Sequence, residues 1–299
     1  MLDFNINDTV LGKNTQVASK YDSSILFRIP RSENRIKYQL HDDSLPFVGF
    51  DVWNCYEFSY MLNNGLPICR VLKISYSAQS KYIVESKSLK LYLNSFNMEC
   101  FGTDVESTEE RLSKIIKQDL ETLLETEVTL SILSATSKVL APFSNHTYLD
   151  LIQLVGLEVV MNMNFEHFNE SPALLNGEVS SQEHVTCFHT DVLRSNCRVT
   201  NQPDWGDLFV FIQCKYKINL ASVLSYLISF RKENHFHEEV VEMIYQRLYS
   251  IFQPSKLMVA AMYTRRGGID INPIRTSHHS LIESVFIDPS IRVEKTIRQ

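Results

Sequence analysis

Residues Ser107–Leu124 read STEERLSKIIKQDLETLL, and the spacing within them settles the class of fold. Leu112, Ile115, Ile116, Leu120, Leu123 and Leu124 recur at the helical period, so one face is apolar and the other charged. Ser107-Thr108-Glu109-Glu110 in front of them reads as a capping box, Ser107 accepting from the Glu110 backbone while Glu110 reaches back. A helix with one apolar stripe has to bury it against another layer. That layer is legible on both sides. A strand pattern follows at 127–134, and two precede at 48–60 and 67–77, separated by the turn signal Asn63-Asn64-Gly65. Between them Leu89, Leu91, Leu93 and Phe96 predict a short helix.

The rest of the chain repeats this plan. Residues 136–147, rich in Ser, Thr, Asn and Pro, read as a linker. Strand patterns are expected at 150–165 and 207–218, then a helix over Leu220–Phe230. A second helix carries Val240, Val241, Ile244, Leu248 and Ile251 on one face, and a strand over Lys256–Tyr263 ends the plan. Strands and helices in this order predict an α+β protein with an internal duplication. The expected division is an irregular segment 1–45, a first module 46–140, a second module 141–275 and a tail 276–299.

Composition bounds the function. The 299 residues are 44% hydrophobic and 21% charged, ordinary for a globular chain. The net charge is −6, and the 29 basic residues are scattered, which argues against a face that neutralises a nucleic-acid backbone. Met1–Gln16 is polar and unlike a signal peptide, and no apolar run approaches the roughly 20 residues that cross a bilayer. A cytosolic protein is expected, so the sequons at Asn145 and Asn169 carry little weight. The six cysteines lie far apart with no CxxC pair and are expected as free thiols. Cys55, Cys69 and Cys214 sit among apolar neighbours, as small core residues of strands do.

Four segments carry chemistry-bearing residues. In Ser195–Gly206, SNCRVTNQPDWG, Cys197 lies in a polar setting with Asp204 seven residues on. A thiolate is a nucleophile and needs a neighbour to take its proton, although an ordinary buried thiol fits the same letters. In Asn234–Glu239, NHFHEE, His237 and Glu238 open a helix. The acids complement its dipole there, and His235-x-His237 is a weak metal pattern without an HExxH. Glu85-Ser86-Lys87-Ser88 sets a carboxylate beside hydroxyls and an amine, and Arg265-Arg266-Gly267-Gly268 sets guanidinium forks beside glycines that let an anion approach. No GxGxxG and no GxxxxGK[ST] occurs.

Together, ESKSLKLYLNSF (Glu85–Phe96), SNCRVTNQPDWG (Ser195–Gly206), FHE (Phe236–Glu238) and YTRRGGIDINPIR (Tyr263–Arg275) resemble the 7-cyano-7-deazaguanine reductases of queuosine biosynthesis. These belong to the tunnelling-fold superfamily that also contains GTP cyclohydrolase I. LPFVGFDVWNCYEFSY (Leu45–Tyr60) resembles the long, two-module form. The resemblance covers about 45–100 and 188–275, and is looser over 10–44 and 101–187. It implies tandem tunnelling-fold modules, antiparallel sheets with helices on one face, a homodimer, NADPH as reductant and a small deazapurine substrate, with no direct nucleic-acid partner and no membrane. It implies Cys197 as the nucleophile on the nitrile, Asp204 as proton donor, and His237 as a further catalytic residue. Val84, Glu85, Ser86, His237 and Glu238 are implied at the substrate, and Ser86, Lys87, Arg266 and Gly267 at NADPH; no metal is implied. Two rivals remain: a zinc cyclohydrolase of the same fold, with Cys187, His189 and His237 as ligands, and a non-catalytic purine binder.

Overall fold

The computed structural model describes residues 20–134, 140–141, 147–282, 284–296 and 299. The first nineteen residues of the irregular segment and most of the expected linker at 136–147 lie outside these. The first half contains β1 (Arg28–Pro30), α1 (Ser32–Arg35), β2 (Val48–Met61), β3 (Pro67–Ser77), β4 (Tyr82–Val84), α2 (Ser86–Asn94), α3 (Val105–Leu124) and β5 (Val128–Leu133). Then come β6 (Leu140–Ala141), β7 (Leu149–Asp150), α4 (Leu151–Val155), α5 (Leu157–Met161), β8 (Gly177–Cys197), β9 (Pro203–Ile218) and α6 (Leu220–Ile228). The chain closes with β10 (Asn234–His235), α7 (His237–Phe252), β11 (Lys256–Tyr263), β12 (Ile269–Thr276), α8 (Ser284–Ile287) and β13 (Arg292–Val293).

One sheet runs through the molecule in the order β10-β8-β9-β11-β12-β2-β3-β5, with β7 also on β8. Every neighbour pair is antiparallel except the short β10 and β7 contacts with β8. The expected α+β architecture is therefore present, and the two halves meet where β12 pairs with β2. Alternation along the strands sorts side chains by face. Leu257, Val259, Ala261 and Tyr263 enter a core with α6 and α7, while Met258, Ala260 and Met262 face the other side with Phe286 of the tail. Trp53, Cys55, Ile269 and Ile271 face α2 and α3. The four long helices thus cover one face and the C-terminal tail the other. No helix among the described residues is long and apolar enough to cross a membrane.

The pattern-rich elements are where the sequence placed them, and three expectations about elements fail, with a fourth about a cysteine. Helix α3 buries Leu112, Ile116, Leu120 and Leu124, but it starts at Val105 and its cap is Asp104, which accepts from the Ser107 backbone; Ser107 lies inside the first turn. The strand expected at 150–165 is two short helices, because Asp150 caps the first and Gly156, at φ 95, divides them. Finally, Cys197 is the last residue of a strand of 21 residues that the pattern missed. Much of the outer length of β8 is exposed, so no apolar alternation marks it until Phe188. The six cysteines are free thiols, and Cys55 and Cys214 are buried as expected, but Cys69 is exposed.

Candidate functional site

The β8–β9 hairpin and β10 hold Cys197 from both sides. Its N–H donates to the Gln202 carbonyl at 2.7 Å, and its carbonyl accepts from Asn201 at 3.0 Å. Asn201 has φ 56, a left-handed conformation that Asn tolerates better than most residues. On the other side Cys197 pairs with His235 of β10, and the Asn196 N–H donates to the Glu233 carbonyl at 2.8 Å. Ser195 and Cys197 share one face of β8, and Asp204 of β9 is registered opposite Ser195. Sulfur and carboxylate are therefore diagonal neighbours on the same face, the arrangement in which side chains of adjacent strands meet.

Asp204 is 3% exposed and engaged on both oxygens. Arg266 donates to one, and His237 Nε2 stands 3.5 Å from the other. Burial works against its charge, but the hydrogen bond and charge of His237 and the guanidinium of Arg266 outweigh it and hold the carboxyl below its usual range. His237, first residue of α7, stacks on Tyr263 with ring centroids 3.8 Å apart and planes within 3°. Gly206 makes this possible. It is registered opposite Tyr263, and a Cβ there would lie 3.1 Å from the ring. Arg266 is aimed by a two-residue turn in which its N–H donates to Ile269 at 2.9 Å and the Ile269 N–H returns at 3.1 Å. Gly267 and Gly268 supply φ 57 and 80 between them, as a tight hairpin of this hand requires. Its guanidinium also donates to Gln202 at 2.8 Å and Thr200 at 3.3 Å.

The facing wall comes from the first half. Glu85 caps α2, accepting from the backbone of Lys87 at 2.9 Å and Ser88 at 2.7 Å. Burial raises its carboxyl despite those bonds. Glu238, one residue after His237, is 3% exposed, and its carboxyl is pushed up to about 8 by burial and the nearby charge of Asp51, against Arg31 and Arg275. Both carboxyls reach the same space from opposite halves; Glu85 accepts from two amides of α2, whereas Glu238 in the first turn of α7 accepts, among the described residues, only from its own backbone N–H.

That space is a cavity of about 300 Å³. Cys197, Asp204, His237, Glu238, Arg266 and Gly267 line it from the second half, and Val84, Glu85, Ser86 and Lys87 from the first. All ten residues singled out from the sequence therefore face one pocket. It also has an apolar wall that motif reading missed, including Ile29, Trp53, Ile83, Phe236, Ile269 and Ile271, and further polar groups in Lys90, Gln202 and His235. The signal for part of that wall lay in strand alternation: Trp53 is registered opposite Ile271 and Cys55 opposite Ile269. Cys187 and His189 lie on β8 eight to ten residues before Cys197, roughly 26–33 Å at strand rise, which separates two of the supposed zinc ligands from the third. Among the described residues no three His, Cys, Asp or Glu are placed to hold a metal ion.

Comparison with known proteins gives matches to two family models. Residues 17–132 match the one described as nitrile reductase, 7-cyano-7-deazaguanine-reductase N-terminal, and residues 203–281 match the one described as QueF-like protein. A Colwellia psychrerythraea protein named NADPH-dependent 7-cyano-7-deazaguanine reductase is 37% identical over 275 residues, covering 91% of this chain and 93% of its own. A Legionella pneumophila (strain Paris) protein of the same name is 38% identical over 271 residues, covering 91% of this chain and 90% of its own. Among solved structures, the archaeosine synthase QueF-like in the apo form aligns over 32% of this chain at 13% identity, with a TM-score of 0.28.

Proposed function

Because the chain belongs to the 7-cyano-7-deazaguanine reductase family, we propose that it reduces the nitrile of 7-cyano-7-deazaguanine to an aminomethyl group with NADPH, in the biosynthesis of queuosine. The observation that carries the reading is one cavity faced by a cysteine, a diagonal carboxylate held ionised, and an uncommitted buried carboxyl.

A nitrile carbon accepts hydride poorly, and sulfur addition turns it into a more reactive C=N group. Asp204, already an anion between Arg266 and His237, takes the proton of the Cys197 thiol. As the C–S bond forms, the same carboxyl passes that proton to the nitrile nitrogen. Thiol and nitrile together give a thioimide with no net gain or loss of protons. When bound, NADPH supplies hydride, and two deliveries are needed to go from nitrile to amine. After the first, the C–S bond breaks, one proton taken up from solvent restores the thiol and an imine remains; the second, with a second proton, gives the amine. The imine hydrolyses readily, so the apolar wall of Ile29, Ile83, Ile269 and Ile271 serves to keep water away.

Recognition falls to the two carboxyls. The deazaguanine ring presents adjacent N–H donors, and among the described residues Glu238 is in no ion pair with another side chain, its carboxyl accepting only from its own backbone N–H. For the dinucleotide phosphates, Lys87 and Arg266 provide charge. Gly267 leaves the approach open, since a Cβ there would lie 3.3 Å from Lys90. We read the halves as tandem tunnelling-fold modules divided near 46–140 and 141–275, working as a cytosolic homodimer without direct nucleic-acid contact.

Intact-mass analysis of the protein with 7-cyano-7-deazaguanine and no NADPH tests the reading. A mass increase equal to the ligand, mapped to Cys197 and lost in Cys197→Ala, is expected. Turnover by Cys197→Ala at the parental rate would overturn the thioimide route.

A further inference from the structure

Behind Glu238 lies a buried set of charges that the chemistry above does not use. Arg31, Arg35 and Arg275 are 4%, 1% and 0% exposed, and Asp51 and Glu242 are 0% and 4% exposed. Arg35 and Arg275 reach Glu242 at 2.7 and 2.8 Å, and Arg31 stands 3.8 Å from it. Arg31 also donates to Asp51, and Arg275 meets the other Asp51 oxygen at 2.8 Å. Arg35 has a further partner in Asp42 at 2.8 Å. Three guanidinium charges are thus matched by three carboxylates, and none is left for Glu238.

The placement is specific. Glu238 and Glu242 are one turn apart on α7, so their side chains share a helix face. Asp51 lies two residues before Trp53 on β2 and therefore points to the same side of the sheet as this cavity-wall residue. Around Glu238 stand Asp51 of β2, Tyr76 of β3, Tyr263 of β11, Arg275 of β12, Arg31 and, on its own helix, Glu242. The two tyrosines are neutral, since burial first and then the acids raise them well above their usual range. Ionising Glu238 in the empty pocket therefore adds a buried negative charge to a set already balanced.

We infer that Asp51, clamped by Arg31 and Arg275 behind the base-reading carboxyl, is a positioning residue for Glu238: it keeps that carboxyl protonated until a ligand brings N–H donors, so that binding expels one proton. The inference rests on the proposed function for the identity of the ligand. Its consequence is selectivity. A base lacking paired donors leaves Glu238 protonated and gains nothing from it, whereas the correct base converts it to a charge-assisted pair. With that carboxyl raised well above its usual range by burial and Asp51, affinity rises with pH through the neutral range, by up to about tenfold per unit, and levels off once the carboxyl ionises without ligand.

The test uses the full chain carrying Cys197→Ala, so that no adduct forms, titrated calorimetrically with 7-cyano-7-deazaguanine in two buffers of different ionisation enthalpy. Close to one proton released per ligand is expected at pH 7, falling towards none above pH 9. Adding Asp51→Asn should move the fall to lower pH and abolish most of the release at pH 7. Adding Arg31→Gln should move it to higher pH, and it decides alone if the Asp51 variant fails to fold. A heat of binding with no buffer dependence at pH 7 would overturn this inference and leave the function standing, as would a release profile unmoved in a folded variant. No heat of binding at all would overturn the functional reading and this inference with it.

Discussion

Replacing Asp204 with Asn isolates proton transfer from everything else the residue does. The side chain is 3% exposed, with one oxygen taken by Arg266 and the other 3.5 Å from His237. Asn has the same shape. Its oxygen can still accept from Arg266 and its amide can face His237, so the geometry around Cys197 is retained. Arg266 is 33% exposed and stays hydrated, so losing the charge pair costs about 1–2 kcal/mol, between the values for exposed and buried pairs. That is well inside the stability of an ordinary domain, and the variant should fold. Catalysis loses more. Asn neither takes the thiol proton nor returns it, and positioned acid–base groups contribute about 10²–10⁴ in rate, or about 3–5 kcal/mol. Formation of the Cys197 adduct without NADPH, followed by timed intact-mass measurements, should slow by that factor while affinity for the base, read by Glu238, stays close to parental. Steady-state oxidation of NADPH should fall at least as far. Because His237 and Arg266 hold Asp204 below its usual range, it remains ionised throughout the neutral range and adds no acidic limb to the parental profile there. Adduct formation at the parental rate in Asp204→Asn would refute the reasoning.

Two further predictions concern the frame. Gly49→Ala places a Cβ 2.0 Å from the Ile274 carbonyl oxygen and 3.1 Å from the Arg275 Cα, backbone atoms of the paired strand that cannot swing aside; a loss of about 3 kcal/mol or more in denaturant unfolding is expected, and a change near zero would show that the β2–β12 seam yields easily. Glu85→Ala removes the acceptor for the Lys87 and Ser88 amides and should lower stability by about 1 kcal/mol, with Glu85→Asp recovering part of it; identical thermal unfolding of parent and Ala variant would show that the α2 cap contributes nothing.

Sequence alone determined what depends on local order. Helices α3 and α7 were legible because their apolar residues repeat with the helix turn, and nine of the ten candidate site residues because they stand in four ordered motifs, Val84 lying just ahead of the first. It did not determine β8, whose outer length is too exposed to show alternation, nor the segment after Asp150, where a cap and a glycine override the apolar run. Only tertiary structure decided that Glu85 and Cys197, more than a hundred residues apart, face one cavity, because that depends on β12 of one half pairing with β2 of the other. Only tertiary structure turned Arg31 and Arg35 inward, where they meet Asp51 and Glu242, while Lys37 stays exposed. Charge balance in a buried space is a property of residues brought together from distant positions, and no reading of neighbours along the chain contains it.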